Sequence, residues 1–185
     1  MPLSPPAIAR EHLHTRQVEC RVYRRADGLW DIEGRVTDTK TYSYTSDERG
    51  EVAVGTPVHD MWIRLTVDDD LVVQALEAVT DFSPFPAVCP GIVPNYQRVV
   101  GLKIGPGWTK ALKARLGGAE GCTHLLELLG PIATTAFQTI VPMRAKEKGG
   151  TGKAGILVPL NSCHAFSANS PIIGKYAPDK FSGNE

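Results

Sequence analysis

The stretch richest in reactive side chains is GAEGCTHLLELLGP, residues 118–131, which holds a thiol, an imidazole and a carboxylate within six residues. Cys122 stands at the predicted start of a helix, where the positive end of the helix dipole favours a thiolate. His124 and Glu127 are three residues apart and therefore lie on one side of that helix. The pattern predicts a thiolate- or imidazole-bearing site. The alternative is a helix cap with a buried cysteine.

Further candidates come from the first half of the chain. Cys89 follows a proline-stiffened loop, TDFSPFPAVC, and Asp31 and Glu33 share one face of a predicted strand beside Trp30 and Ile32. If that face is covered, the two carboxylates become acid–base or ligand candidates; otherwise they are solvated. The sequence therefore predicts two sets, a catalytic set of Cys122, His124, Glu127, Asp31 and Glu33, and a metal-binding set of Cys89, Cys122 and His124, with zinc or iron as the candidate metals.

Two other polar pairs and one single carboxylate are assigned to structure instead. His59 and Asp60 are adjacent on a predicted strand and point to opposite faces, so His59 is interpreted as a surface residue at the strand entry. Asp38 is interpreted as a solvated strand residue. Cys163 and His164 lie in an apolar tail that is expected to dock on the body of the protein.

The elements that must position these residues are antiparallel strands followed by helices. Alternating apolar residues predict hairpins within residues 15–80, although VVQALEAV also fits a helical turn. Helical spacing predicts a short helix in GPGWTKALKARLGG and a long one from about Cys122 to Val141, kinked or restarted at Gly130-Pro131. The predicted fold class is α+β, an antiparallel sheet packed on one face against two or three helices.

The predicted domain organisation has four parts. They are a flexible arm (1–14), a single α+β domain (15–141), a flexible linker (142–155) and a C-terminal segment that docks on the domain (156–185).

Composition narrows the function classes. The 185 residues carry 20 basic and 20 acidic side chains, so no basic stripe predicts nucleic-acid binding. The apolar runs fall short of the roughly 20 residues that span a bilayer, and no signal pattern opens the chain. We therefore expect a cytoplasmic protein without a membrane partner and with free or ligating cysteines. CxxC, HExxH and GxSxG motifs are absent from the sequence, and the glycine-containing stretch GLKIGPG (101–107) lacks the GxGxxG pattern.

Three stretches together resemble a bacterial family of uncharacterised proteins, domain-of-unknown-function family 2889. They are LWDIEGRVTDTK (29–40), HDMWIRLTVD with TDFSPFP (59–68 and 80–86) and GCTHLLELLGPIATTAFQ (121–138). This resemblance gives a family without a mechanism.

A fainter resemblance is to iron–sulfur scaffold and sulfur-acceptor proteins of the NifU and SufE type. It rests on the order of strands, a loop cysteine (Cys89), a helix and a helix-start cysteine (Cys122). It implies a related fold and a sulfur- or cluster-handling role, although GLKIGPGW lacks the scaffold's middle cysteine and His124 follows Cys122 instead of preceding it.

The sequence thus predicts a small cytoplasmic enzyme with a thiolate/imidazole site, with or without a bound metal, acting on a small organic molecule. The alternatives are a carrier of the NifU/SufE type and a non-catalytic accessory protein.

Overall fold

The computed structural model describes residues 3–147 and 160–183. The chain divides into two compact units, Met1–Thr135 and Ala136–Glu185. All the residues discussed below as a site lie in the first unit.

A four-stranded antiparallel sheet organises the first unit. The strands are β1 (His14–Arg24), β2 (Trp30–Lys40), β3 (Tyr44–Ser46), β4 (Gly50–Val52), β5 (Pro57–Val67) and β6 (Val73–Phe82). The order in the sheet is β1-β2-β5-β6, and β3 and β4 form a separate small hairpin between β2 and β5 in the chain. The helices are α1 (Trp108–Leu116), α2 (Thr123–Glu147) and, in the second unit, α3 (Pro171–Tyr176). The predicted α+β class is confirmed.

Strand β2 shows how the sheet separates its two faces. Trp30, Ile32 and Val36 are buried, whereas the intervening residues are partly exposed. This alternation follows from the two-residue period of a strand. Gly34 lies on the buried face, and a Cβ atom there would stand 2.6 Å from side-chain atoms of Ile132. Helix α2 therefore packs closely on the buried face at Gly34.

The proline-rich segment after β6 covers an edge of the sheet. Residues Cys89–Val99 form 3₁₀ helix, and the Gln97 side chain donates a hydrogen bond to the carbonyl of Leu76 (2.6 Å). The backbone of Val73 pairs with Leu102 and Gly101. The free hydrogen-bonding groups at that end of edge strand β6 are thus satisfied within the chain.

The long helix differs from its predicted form. It continues through Gly130-Pro131 without restarting, and residues 142–147, predicted as linker, form its last turns. Burial of its apolar side offsets the backbone bonds lost at proline. That side consists of Leu125, Leu128, Leu129, Ile132, Ala133, Ala136 and Ile140. VVQALEAV forms strand β6 and not a helical turn.

The second unit contains α3, which Ser170 caps by accepting a hydrogen bond from the Ile173 amide (3.3 Å). Residues 148–159, which include most of the predicted linker and the start of the predicted docking segment, lie outside the described residues. The docking of the tail and the flexibility of the N-terminal arm stay predictions.

Helix α2 is long and apolar enough, by length and composition only, to cross a membrane, with a mean hydropathy of 1.2 over its best window. Of that window, 39% is buried within the protein. A core helix of a soluble protein passes the same test, so this finding is weak support for a membrane span.

Candidate functional site

A buried carboxylate, Asp38, is the centre of the candidate site. It lies near the end of β2 on the same face as Ile32 and Val36, and its side chain is 1% exposed. A buried carboxylate requires hydrogen-bond partners or opposite charge. Asp38 has both, because β1, β5 and α2 each bring a cationic or imidazole side chain toward it.

Two histidines face one oxygen of this carboxylate. In the register of β2 and β5, His59 is opposite Asp38, and its Nδ1 atom lies 2.9 Å from Asp38 Oδ2. His124, in the first turn of α2, places Nε2 at 3.9 Å from the same oxygen. The two imidazole rings stack with centroids 3.6 Å apart. Their side chains are 13% and 22% exposed, so a small ion or molecule can reach them.

Arg16 and His14 hold the carboxylate from strand β1. Arg16 donates from Nε to Oδ1 (2.8 Å) and from Nη2 to Oδ2 (2.9 Å), a two-bond fork that fixes the orientation of the carboxylate. His14 Nε2 lies 3.0 Å from Oδ1. The Arg16 Nη1 group donates to Glu127 of α2 (3.0 Å), which links β1 to the helix.

The protonation states follow from these surroundings. Burial alone would raise the pKa of Asp38, but the hydrogen bonds from Arg16 and His14 outweigh it and lower that pKa well below its usual range. Burial, and then the charge of neighbouring His124, lowers the pKa of His59. Burial, and then the charge of Arg16, lowers the pKa of His124. Near neutral pH the site therefore contains an ionised carboxylate and two neutral imidazoles.

Cys122 adjoins the site from the side opposite Asp38. Its Sγ atom lies 3.9 Å from Nδ1 of His124, the ring nitrogen that faces away from the carboxylate. The Tyr96 hydroxyl donates to the Cys122 carbonyl (2.8 Å) and accepts from the Cys122 amide (3.0 Å). The carbonyl also accepts the first bond of α2, from Leu126 (2.9 Å). Cys122 is therefore the N-cap residue of α2, anchored by the buried Tyr96.

Asp38, His59 and His124 meet the requirements of a metal site. Each offers one ligand atom, and these atoms lie within 4.8 Å of one another. Zinc bonds of about 2.0–2.2 Å would bring ligand atoms to within about 4 Å of each other, so small side-chain movements suffice. Neutral imidazoles and an ionised carboxylate are the required ligand forms. Two histidines and one carboxylate suit catalytic zinc and non-haem iron(II).

The structure separates the predicted site residues into two groups. Cys122, His124 and Glu127 lie at the start of α2, beside Asp38. The side chains of Asp31 and Glu33 point to the other face of β2, where Thr66 donates to Asp31 (2.7 Å) and Arg64 donates to Glu33 (2.9 Å). Neither carboxylate belongs to the group of possible metal ligands found among the described residues.

Cys89 begins the 3₁₀ segment as a free, partly buried thiol. It is not part of the three-residue group found among the described residues. Its predicted part in a metal-binding set with Cys122 and His124 stays a prediction.

Sequence reasoning missed Asp38, His59, His14 and Arg16 as site residues. One signal was present in the sequence. Asp38 is an even number of residues from Trp30, Ile32 and Val36, so the alternation of the strand places its carboxylate on the apolar face. His59 likewise alternates with Met61 and Ile63. The strand register that places Asp38 opposite His59 could not be derived from the sequence.

Comparison with known proteins gives one match. The sequence model of a family described as "Protein of unknown function (DUF2889)" matches residues 14–138, a range that contains every residue of the site. The resemblance inferred from the three sequence stretches is confirmed, whereas the similarity to NifU and SufE is not shown. No curated protein and no solved structure matches the chain.

Proposed function

Because the chain belongs to the DUF2889 family, whose function is unknown, we propose from its site that it is a small metal-dependent enzyme acting on a small organic molecule. Asp38, His59 and His124 would hold one divalent ion, zinc or iron. The observation that carries this proposal is the convergence of the three side chains, from β2, β5 and α2, with ligand atoms within 4.8 Å of one another.

Each residue has a defined part in this proposal. Arg16 and His14 orient Asp38 so that Oδ2 faces the imidazoles. Cys122 is placed to accept a hydrogen bond from Nδ1 of His124, which leaves Nε2 free for the metal. Three protein ligands leave coordination positions open, and a metal there would activate water or polarise a carbonyl group.

Metal binding by purified protein tests the proposal. Protein stripped with a chelator and then loaded with zinc, or with iron(II) under anaerobic conditions, should bind one equivalent by elemental analysis. His59→Gln and His124→Gln should each weaken binding by about 100-fold or more, because each removes a ligand and not only an outer-shell partner.

His164→Gln is the matched control, since His164 is an exposed histidine of the second unit. It should bind metal as the wild type does. Absence of stoichiometric binding to the wild type, or equal weakening in all three variants, would contradict the proposal.

A second candidate function is thiol chemistry without a metal. It is favoured by one observation: His124 lies 3.9 Å from Cys122 Sγ through Nδ1 and 3.9 Å from Asp38 Oδ2 through Nε2. A thiol, an imidazole and a carboxylate in this order can activate a nucleophile. Timed alkylation of chelator-treated protein discriminates, because a nucleophilic Cys122 should react fastest of the four cysteines.

The remaining predictions stay proposals. The cytoplasmic location is one of these proposals, and burial of the apolar side of α2 favours a core helix over a membrane span. No contact among the described residues favours the sulfur or cluster carrier over the enzyme.

A further inference from the structure

The ion pair between Arg16 and Glu127 lies directly beside the candidate metal ligands. Arg16 uses one edge of its guanidinium group, Nε and Nη2, for Asp38. At the other edge, Nη1 donates to Glu127 Oε2 (3.0 Å). The buried carboxylate thus fixes the guanidinium, and the second edge is presented at the surface of the site.

The two ion pairs of Arg16 differ in strength. Asp38 is 1% exposed and accepts two bonds, whereas Glu127 is 60% exposed and accepts one. Exposed pairs contribute little to stability, because water screens them and both side chains lose freedom. An incoming anion can therefore displace Glu127 from Arg16 without disturbing the bonds to Asp38.

Charge favours such an anion once a metal is bound. The charges of Arg16 and Asp38 cancel, and histidines that bind a metal do so as neutral imidazoles. A divalent ion would leave the centre positive, with Glu127 as the acidic side chain paired to Arg16 at its rim.

We propose that Arg16 binds a carboxylate group of the substrate and that Glu127 occupies this position in the free protein. The substrate class is then a small organic acid. The carboxylate of Glu127 already shows the geometry that the substrate group would take. This inference deepens the proposed function and rests on it only for the contribution of the metal, because the guanidinium is fixed by protein atoms alone.

Nuclear magnetic resonance titration of the Arg16 Nε–H signal tests this inference, with acetate as the probe and acetamide as its neutral counterpart. Acetate should shift the signal saturably, and acetamide should not. Glu127→Gln removes the competing carboxylate and should tighten acetate binding about two- to fivefold, the range that corresponds to an exposed ion pair. Arg16→Lys keeps the charge and loses the fork, so acetate binding, followed in this variant by backbone amide signals near the site, should weaken.

Glu77→Gln is the matched control. Glu77 is 64% exposed and pairs with Arg64, so its substitution changes the net charge equally, away from this site. It should leave acetate affinity unchanged. If Arg16→Lys does not fold, the acetate affinities of Glu127→Gln and Glu77→Gln still test the inference.

Equal acetate affinity in the wild type and Glu127→Gln would overturn the inference, as would binding of acetamide or stronger binding of inorganic phosphate than of acetate. The titrations are run on metal-free and zinc-loaded protein. If Glu127→Gln tightens acetate binding but the protein binds no metal, the proposed function is refuted and this inference stands. If the protein binds one equivalent of metal but Glu127→Gln does not tighten acetate binding, this inference is refuted and the proposed function stands.

Discussion

At the scale of single residues, the site depends on one buried charge with several partners. Asp38 receives a fork from Arg16 and lies within hydrogen-bond distance of His14 and His59. A lone buried carboxylate would be costly, and these contacts offset its loss of hydration. The carboxylate consequently stays ionised and holds the imidazole of His59 in a fixed position.

Cys122 gives the prediction at this scale. Because its Sγ atom faces Nδ1 of His124 and not the carboxylate, we expect it to orient the imidazole without binding the metal. Cys122→Ala should keep the one-to-one stoichiometry and weaken cobalt(II) binding about 10- to 100-fold. Cys122→Ser should restore part of the affinity, since a hydroxyl group can also accept the Nδ1 proton.

The visible and near-ultraviolet spectrum of cobalt(II)-loaded protein provides the measurement. A sulfur-to-cobalt charge-transfer band that disappears in Cys122→Ser would show that the thiol is a ligand and would contradict this prediction. Cys163→Ser is the control, because Cys163 is an exposed free thiol.

At the scale of elements, the close crossing of β2 and α2 positions the site. Gly34 allows the helix to approach the strand, and the same helix carries His124 near its start. Asp38 lies four residues beyond Gly34 along β2, and its Oδ2 atom is 3.9 Å from Nε2 of His124. A glycine within a strand often marks such a close backbone approach.

Substitution of Gly34 measures this crossing. The new Cβ atom in Gly34→Ala would stand 2.6 Å from two side-chain atoms of the fully buried Ile132. Since Ile132 must move within a packed core, we expect a loss of about 1–3 kcal/mol in the free energy of unfolding. Urea denaturation followed by circular dichroism would measure it.

Gly91→Ala is the control for this prediction, because a Cβ atom at Gly91 meets nothing within 4 Å and the residue has no positive φ. Its stability should stay within about 0.5 kcal/mol of the wild type. Equal stability of the two variants would show that the crossing tolerates a side chain.

At the scale of the whole molecule, the site makes stability depend on pH. His59 and His124 have folded-state pKa values below the unfolded value of about 6.5. The unfolded chain therefore binds more protons than the folded one as the pH falls through this window. Their contribution to stability is complete above about pH 6.5 and decreases below it. The contribution of Asp38 is lost only at much lower pH, below about 3.9.

Urea midpoints at pH 7 and pH 5, with chelator present, test this dependence. The wild type should lose stability between these values, and a double variant with His59→Gln and His124→Gln should lose less. His164→Gln should retain the wild-type dependence. An unchanged dependence in the double variant would refute the assignment to these two histidines.

The amino-acid sequence by itself determined the fold class, the hairpin of β1 and β2 and the presence of reactive groups at the start of α2. These features depend on local sequence patterns. Apolar residues alternate along β2 and β5, and the glycine-rich turn before Cys122 marks the start of a helix. Periodicity also indicated correctly that His59 and Asp60 point to opposite faces, since they pair with Asp38 and Arg35 respectively.

Only the tertiary structure decided which reactive groups meet. Asp31, Glu33 and Asp38 are all carboxylates of one strand, but the two-residue period places only Asp38 on the buried face with Ile32. The antiparallel register then brings His59 opposite Asp38, and the helix crossing at Gly34 adds His124. Strand register and helix position result from the packing of side chains distant in sequence, and local patterns of residues carry little information about either.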